Sequence, residues 1–244
     1  MMPLEFFINN NKNARTKNNM NNFSLVLQAT YTCVEYALYN NQKLLTKHSL
    51  IKTSVCTDLM FHLCTLLNDH GITWGEIQHI IINQGPAPFT TLRGLIATVN
   101  GISFAQKIPL IAVDGLDAFT QELAVTHDRF LIALNAFAGD FYYSLQTEVE
   151  KKGCGPITIL DDFISHYSSS DKPLLIIGNG VFFIKEELEK KYGNRIICDE
   201  SHDYVKLETI ATSGFDAICQ KPVTTFHVSP LYLKTISYQP SCLV

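Results

Sequence analysis

Three short apolar segments, 23–29, 33–39 and 42–48, are separated by tight-turn residues, Asn40-Asn41 in one case, and predict a meander of β-strands. From 54 to 69 the spacing becomes helical. Val55, Leu59, Leu63 and Leu66 form one apolar stripe, Cys56, Met60, Cys64 and Leu67 its neighbour, and Gly71 follows as a stop. A buried strand over 77–83, a helix over 89–106, a strand over 109–113 and a helix over 115–124 complete the order β-β-β-α-β-α-β-α. The second half repeats this outline without repeating the sequence. It has hairpin strands over 130–136 and 141–147 around Gly139-Asp140, a buried strand over 174–177 running into Gly178-Asn179-Gly180, and helices over 182–191 and 206–220. The expected organisation is a disordered extension (1–22), two α/β units (23–125 and 126–236) and a short tail (237–244).

The helix over 89–106 is apolar on nearly every side. Leu92, Ile96, Val99 and Ser103 lie along one flank, Leu95, Ile102 and Ala105 along another, and Gly94, Ala97 and Gly101 form a small-residue track. A helix hydrophobic all round is covered on more than one face. With two adjacent apolar stripes on 54–69 as well, the pair carries more apolar surface than one sheet face covers. Both helices are therefore expected to meet a partner through Cys56, Met60, Cys64, Leu67, Leu95, Ala97, Gly101 and Ile102.

Composition narrows the chemistry. Of 244 residues, 46% are hydrophobic and 17% charged, and the net charge is −4, as in a soluble globular protein. No Lys/Arg stripe offers a nucleic acid an electrostatic footprint, so contact with RNA is expected only indirectly. No apolar run approaches the roughly 20 residues that span a bilayer, so no membrane is expected. Seven scattered cysteines with no CxxC pair read as reduced thiols of a cytoplasmic protein. Residues 9–22 hold eight asparagines and lack the apolar region of a signal peptide, and Met20 is a candidate alternative start.

Before the second of these helices stands the loop Gly85-Pro86-Ala87-Pro88. Such turns can bind anions through free N–H groups and the helix dipole, but each proline removes a donor. A structural turn is expected, with Thr90 or Thr91 capping the helix and Arg93 anchoring the loop through carbonyls or a carboxylate. No two of the eight histidines are four residues apart, and there is no G-x-S-x-G elbow. Neither a metal site nor a hydrolase triad is expected.

The run Gly85-Pro86-Ala87-Pro88-Phe89-Thr90-Thr91-Leu92-Arg93 resembles the G-P-G-S-F-T-G-L-R segment of the bacterial TsaB (YeaZ) family. In register follow the Gly/Ala-rich helix through Gly101, "IPLIAVDGLDAF" (108–119), "GDFYYS" (139–144), "IIGNG" (176–180) and "SPLYLK" (229–234), so that the resemblance covers 23–235. It implies an actin-like α/β fold of the acetate-kinase and heat-shock-chaperone type, with two similar lobes, each a mixed sheet flanked by helices. It also implies a non-catalytic scaffold that binds TsaD, the subunit that threonylcarbamoylates the adenosine beside the tRNA anticodon, with the TsaE ATPase joining the assembly.

Where the family usually has Asp at the end of the first strand this chain has Gln28, and the family's Asp-Ala-Arg is matched by Asn135-Ala136-Phe137. An amide cannot carry the charge that a magnesium site requires. No cofactor and no catalytic residue are therefore expected. The competing readings are an actin-like small-molecule kinase or nucleotidase, and a homodimer of unrelated role using the same helices.

Overall fold

The structure, a computed structural model, describes residues 22–234. The expected extension, apart from Asn22, and the 237–244 tail lie outside the described residues. Ten strands form two five-stranded sheets. The first contains β1 (Phe23–Ala29), β2 (Cys33–Asn40), β3 (Lys43–Ile51), β4 (Ile77–Asn83) and β5 (Leu110–Val113), in the order β3-β2-β1-β4-β5. The second contains β6 (Phe130–Asn135), β7 (Asp140–Gln146), β8 (Glu150–Pro156), β9 (Leu174–Ile177) and β10 (Ile196–Asp199), in the order β10-β9-β6-β7-β8. Each sheet begins with an antiparallel meander, and its last two strands join in parallel beside the first. The two halves therefore share one topology.

Helices α1 (Val55–Asp69) and α2 (Phe89–Gln106) cover the outer face of the first sheet. Helices α4 (Ile157–Tyr167) and α5 (Val181–Tyr192) cover the outer face of the second. Between the sheets lie α3 (Gly115–Ala124) and α6 (Leu207–Gln220), packed in one core with Val26, Ile81, Ile132 and Leu134. The central strands β1, β4, β6 and β9 are covered on both faces, which is why they read as continuous rather than alternating apolar runs. At Gly214 of α6 an added Cβ would meet Ile81 Cγ2 at 2.4 Å, a measure of how closely this middle layer approaches the first sheet.

The sequence pattern missed β8, α4 and β10. β8 (EKKGCGP) is a charged, exposed edge strand with no apolar alternation, and β10 is a short, half-buried strand at the other edge. All six described cysteines are free. Burial pushes the Cys198 thiol up to about 11, which leaves little thiolate at neutral pH.

Leu67, Leu95 and Ile102, expected at a partner interface, belong instead to the core of their own lobe, at 2%, 0% and 5% exposure. The sheet face covers more apolar helix than the pattern implied because α1 and α2 also cover each other. An added Cβ on Gly94 would lie 2.9 Å from Cys56 Sγ, so the small residue serves a helix crossing inside the lobe. The expected threonine cap is also corrected. Pro88 is the N-cap of α2 with no side-chain bond, and Thr91 is buried.

Candidate functional site

Two features stand where the sequence directed attention: the cleft end of the Gly85 loop and the outer surface of α1 and α2. At the cleft, Gln28 closes β1 completely buried and Asn83 closes β4. The Gln28 amide donates to Glu35 Oε2 at 2.6 Å and to the Val205 carbonyl at 3.1 Å. Its oxygen accepts from Asn83 Nδ2 at 3.2 Å. Asn83 Nδ2 also donates to the Tyr204 hydroxyl at 3.2 Å, and Asn83 Oδ1 accepts from the Gly85 amide at 2.9 Å. The Tyr204 hydroxyl in turn donates to the Pro86 carbonyl at 2.6 Å.

Both N–H groups of the Gln28 and Asn83 amides are thus spent within the protein. The network ties the signature loop to the segment before α6, so that lobe is joined to lobe across the cleft. Burial raises the Tyr204 hydroxyl well above its ordinary pKa, and burial likewise raises Tyr31, whose ring meets Tyr204 edge-on at 5.8 Å. Both stay protonated donors, Tyr31 to the Asn135 carbonyl at 2.8 Å. There is no room for a side chain at Gly115, where a Cβ would meet Asn83 Oδ1 at 2.4 Å. Gly85, at φ +116°, sits after Asn83 with a cis bond to Pro86.

In the second lobe Asn135 does comparable work. Its side chain accepts from the Phe137 amide at 2.7 Å, opening a turn in which Phe137, Ala138 and Gly139 all have positive φ. Among the described residues, no group of three or more His, Cys, Asp or Glu is placed to hold a metal ion. A cavity of about 520 Å³ beside α3 and α6, lined by Glu122, His127, Asp199 and His202 among others, gave no signal in the sequence. There Glu122 Oε1 lies 2.7 Å from His202 Nε2, while its other oxygen accepts from the Lys206 amide and the Thr209 hydroxyl. Glu122 therefore caps α6 from the other lobe, a structural use of the charge.

On the outer surface, Met60, Phe61 and Phe104 are exposed at 43%, 70% and 75%, and Cys56, Ala97 and Gly101 are exposed as well, with Cys64 half-buried. An added Cβ on Gly101 meets nothing within 4 Å. β3 and β4 run parallel through β1 and β2, and each is followed by a helix packed back on the sheet, so α1 and α2 run in the same direction. Cys56 meets Gly94 where α1 and α2 cross, and helical spacing puts Met60 and Cys64 on the same side of α1 in the turns that follow. Of the expected interface residues, Cys56, Met60, Ala97 and Gly101 are thus exposed and Cys64 half-buried on the outer side of these two helices.

Of the signature-loop residues, Gly85 and Pro86 are buried, whereas Phe89, Thr90 and Arg93 are exposed. Among the described residues, Arg93 meets neither a loop carbonyl nor a carboxylate. It stacks on Phe89, with its guanidinium carbon 4.4 Å from the ring centroid, and donates through Nε to the Tyr232 hydroxyl at 3.0 Å.

Two lobes of identical strand order, each with a mixed sheet between helix layers and with two helices at the lobe interface, define the actin-like class. Residues 57–160 match the family model described as "TsaD: tRNA N6-adenosine threonylcarbamoyltransferase". A curated relative, the tRNA threonylcarbamoyladenosine biosynthesis protein TsaB of Buchnera aphidicola subsp. Acyrthosiphon pisum (strain APS), is 21% identical over 130 residues, which are 52% of this chain and 59% of that protein. The chain thus matches about three fifths of the relative's length. Two solved structures from Pseudomonas aeruginosa superpose over 87% of this chain and 100% of theirs, both at 18% identity. They are an uncharacterized protein with similarity to peptidase YEAZ, at TM-score 0.69, and YeaZ, at 0.66. The chain is thus similar to a TsaB protein over about half its length and shares the YeaZ fold over most of it. Among the described residues no helix is long and apolar enough to cross a membrane.

Proposed function

We propose that the chain is a non-catalytic scaffold subunit in tRNA threonylcarbamoyladenosine biosynthesis, acting in the cytoplasm by docking a TsaD-like catalytic subunit on the outer face of α1 and α2. The observation that carries this reading is that face itself. Met60 and Phe61 on α1 and Phe104 on α2 expose large apolar side chains, and Ala97 and Gly101 expose small ones on α2, while the core of the lobe is complete without them. Large apolar side chains exposed on neighbouring helices mark candidate interaction sites. The match of 57–160 to the TsaD family model adds to the reading, because a TsaD-like partner would present helices related to α1 and α2. Two such pairs form a near-symmetric helical contact. A TsaE-like ATPase joins the assembly in this account, and tRNA meets the chain only through its partners.

The cleft supports the non-catalytic part. The site where an actin-like kinase needs an acid to hold magnesium carries Gln28, with both N–H groups of its amide already bonded inside the protein. The test is reconstitution. Alone, the chain is expected to neither hydrolyse ATP nor modify tRNA, and its addition to a TsaD-like subunit with TsaE is expected to raise threonylcarbamoylation. Magnesium-dependent ATP turnover by the isolated chain would overturn this reading in favour of the kinase.

A further inference from the structure

Beyond α6 the chain runs without regular secondary structure to residue 234, yet it is held at nearly every step along α2. The Thr225 carbonyl accepts from the Leu110 amide at 2.8 Å, and the Phe226 carbonyl from the Ser103 hydroxyl at 3.1 Å. The Asn100 side chain pairs with both the N–H and the C=O of Val228, each at 2.9 Å, as a neighbouring strand would. Val228 itself is buried in the core of the first lobe. The Leu231 amide donates to the Gln84 carbonyl at 2.8 Å, and Tyr232 packs on Phe89 and accepts from Arg93. Then Lys234 crosses to the second lobe. Its ammonium lies 2.8 Å from the Asp140 carboxylate, 3.3 Å from the Ala136 carbonyl and 3.2 Å from the Phe137 carbonyl.

These last contacts are chemically specific. The turn at 137–139 holds two non-glycine residues at positive φ, a costly conformation that persists where its surroundings fix it. It directs two carbonyls and a carboxylate at one point, and a single ammonium with three donors satisfies all of them.

We propose that residues 222–234 are a strap that couples the Gly85–Arg93 loop and the flank of α2 to the left-handed turn of the second lobe, with Lys234 as the residue that holds it closed. The strap lies on the side of α2 bearing Arg93 and Asn100, opposite the side that crosses α1, so it borders the exposed strip of Ala97 and Gly101. An extended segment that lacks sheet neighbours depends on its side-chain contacts, and among the described residues those of Lys234 are the ones that reach 136–140. Released at Lys234, it frays towards Leu231 and uncovers the loop, whose Gly85 lies against the Leu231 carbonyl. The position of one lobe is thereby felt at the outer face of the other.

Hydrogen exchange on the full chain tests this directly. Lys234→Ala is expected to speed exchange of the Leu231 amide, bonded to the Gln84 carbonyl, and of the 84–93 loop about tenfold, with the central strands unchanged, and Lys234→Arg to restore protection. Tyr232→Phe, which removes only the Arg93 bond, is expected to loosen the loop without disturbing 136–140. The coupling is overturned if the effect of Lys234→Ala stays within 136–140 and 234, or if every amide in the protein exchanges faster alike.

Discussion

Met60→Glu is expected to abolish association with the TsaD-like partner while circular dichroism and melting stay near wild type. Met60 is 43% exposed in the isolated chain and lies on the same side of α1 as Cys56, outside the core cluster of its lobe. A glutamate there stays hydrated in the free protein and costs little. On docking it would be stripped of water between apolar helices with no cation to pair, a penalty of several kcal/mol that exceeds what most interfaces hold in reserve. Leu95→Ala is the control from the same lobe. Leu95 is 0% exposed, and its truncation is expected to destabilise the fold itself by about 2–5 kcal/mol. If Met60→Glu unfolds as readily as Leu95→Ala, the second stripe of α1 is core and this face is no docking surface.

Gln28→Glu, the nearest acidic substitute at the end of β1, is expected to destabilise the protein by about 3–5 kcal/mol at neutral pH, because it leaves an uncompensated charge in a buried site. The amide donates to Glu35 and to the Val205 carbonyl, and a carboxylate can donate to neither. It would instead face Glu35 as a second negative charge. Burial and that like charge raise the pKa of the new carboxylate above its unfolded value, so it binds a proton more readily when folded. The penalty is therefore full above the raised value and shrinks as pH falls through it, the sign that urea melts at pH 5 and pH 8 would read. A variant as stable as wild type at pH 8 would show that the cleft accepts an acid, and the case against a metal-dependent kinase would lose its physical basis.

Most of the fold was legible because central strands and amphipathic helices write their burial into the sequence. β1, β4 and β9 are continuous apolar runs, and α2 could be bounded by Pro88 and the polar end at Gln106-Lys107, where Lys107 turns left-handed. Edge elements carry no such mark. β8 needs only one neighbour and no buried face, so its glycines and lysines looked like loop. The candidate face was legible as a stripe but not as a surface. Helical spacing gives angles and says nothing of which shoulder a neighbour covers, so Leu67, Leu95 and Ile102 were grouped with Met60 although they face inward. Gln28 was legible as a missing acid, whereas its partner Val205 is 177 positions away in the chain and gave no local sign. The strap was recognised as "SPLYLK" alone. Its bonds run to side chains on α2, and an extended segment held that way has no periodicity to read.

The central claim is that α1 and α2 form a docking surface for a catalytic partner, and sedimentation of the full chain mixed with a TsaD-like protein from the same source tests it most directly. The account expects a discrete complex containing both proteins that is lost with Met60→Glu, even if the chain alone forms a dimer through the same face. Two species that sediment independently at every ratio tried would contradict it.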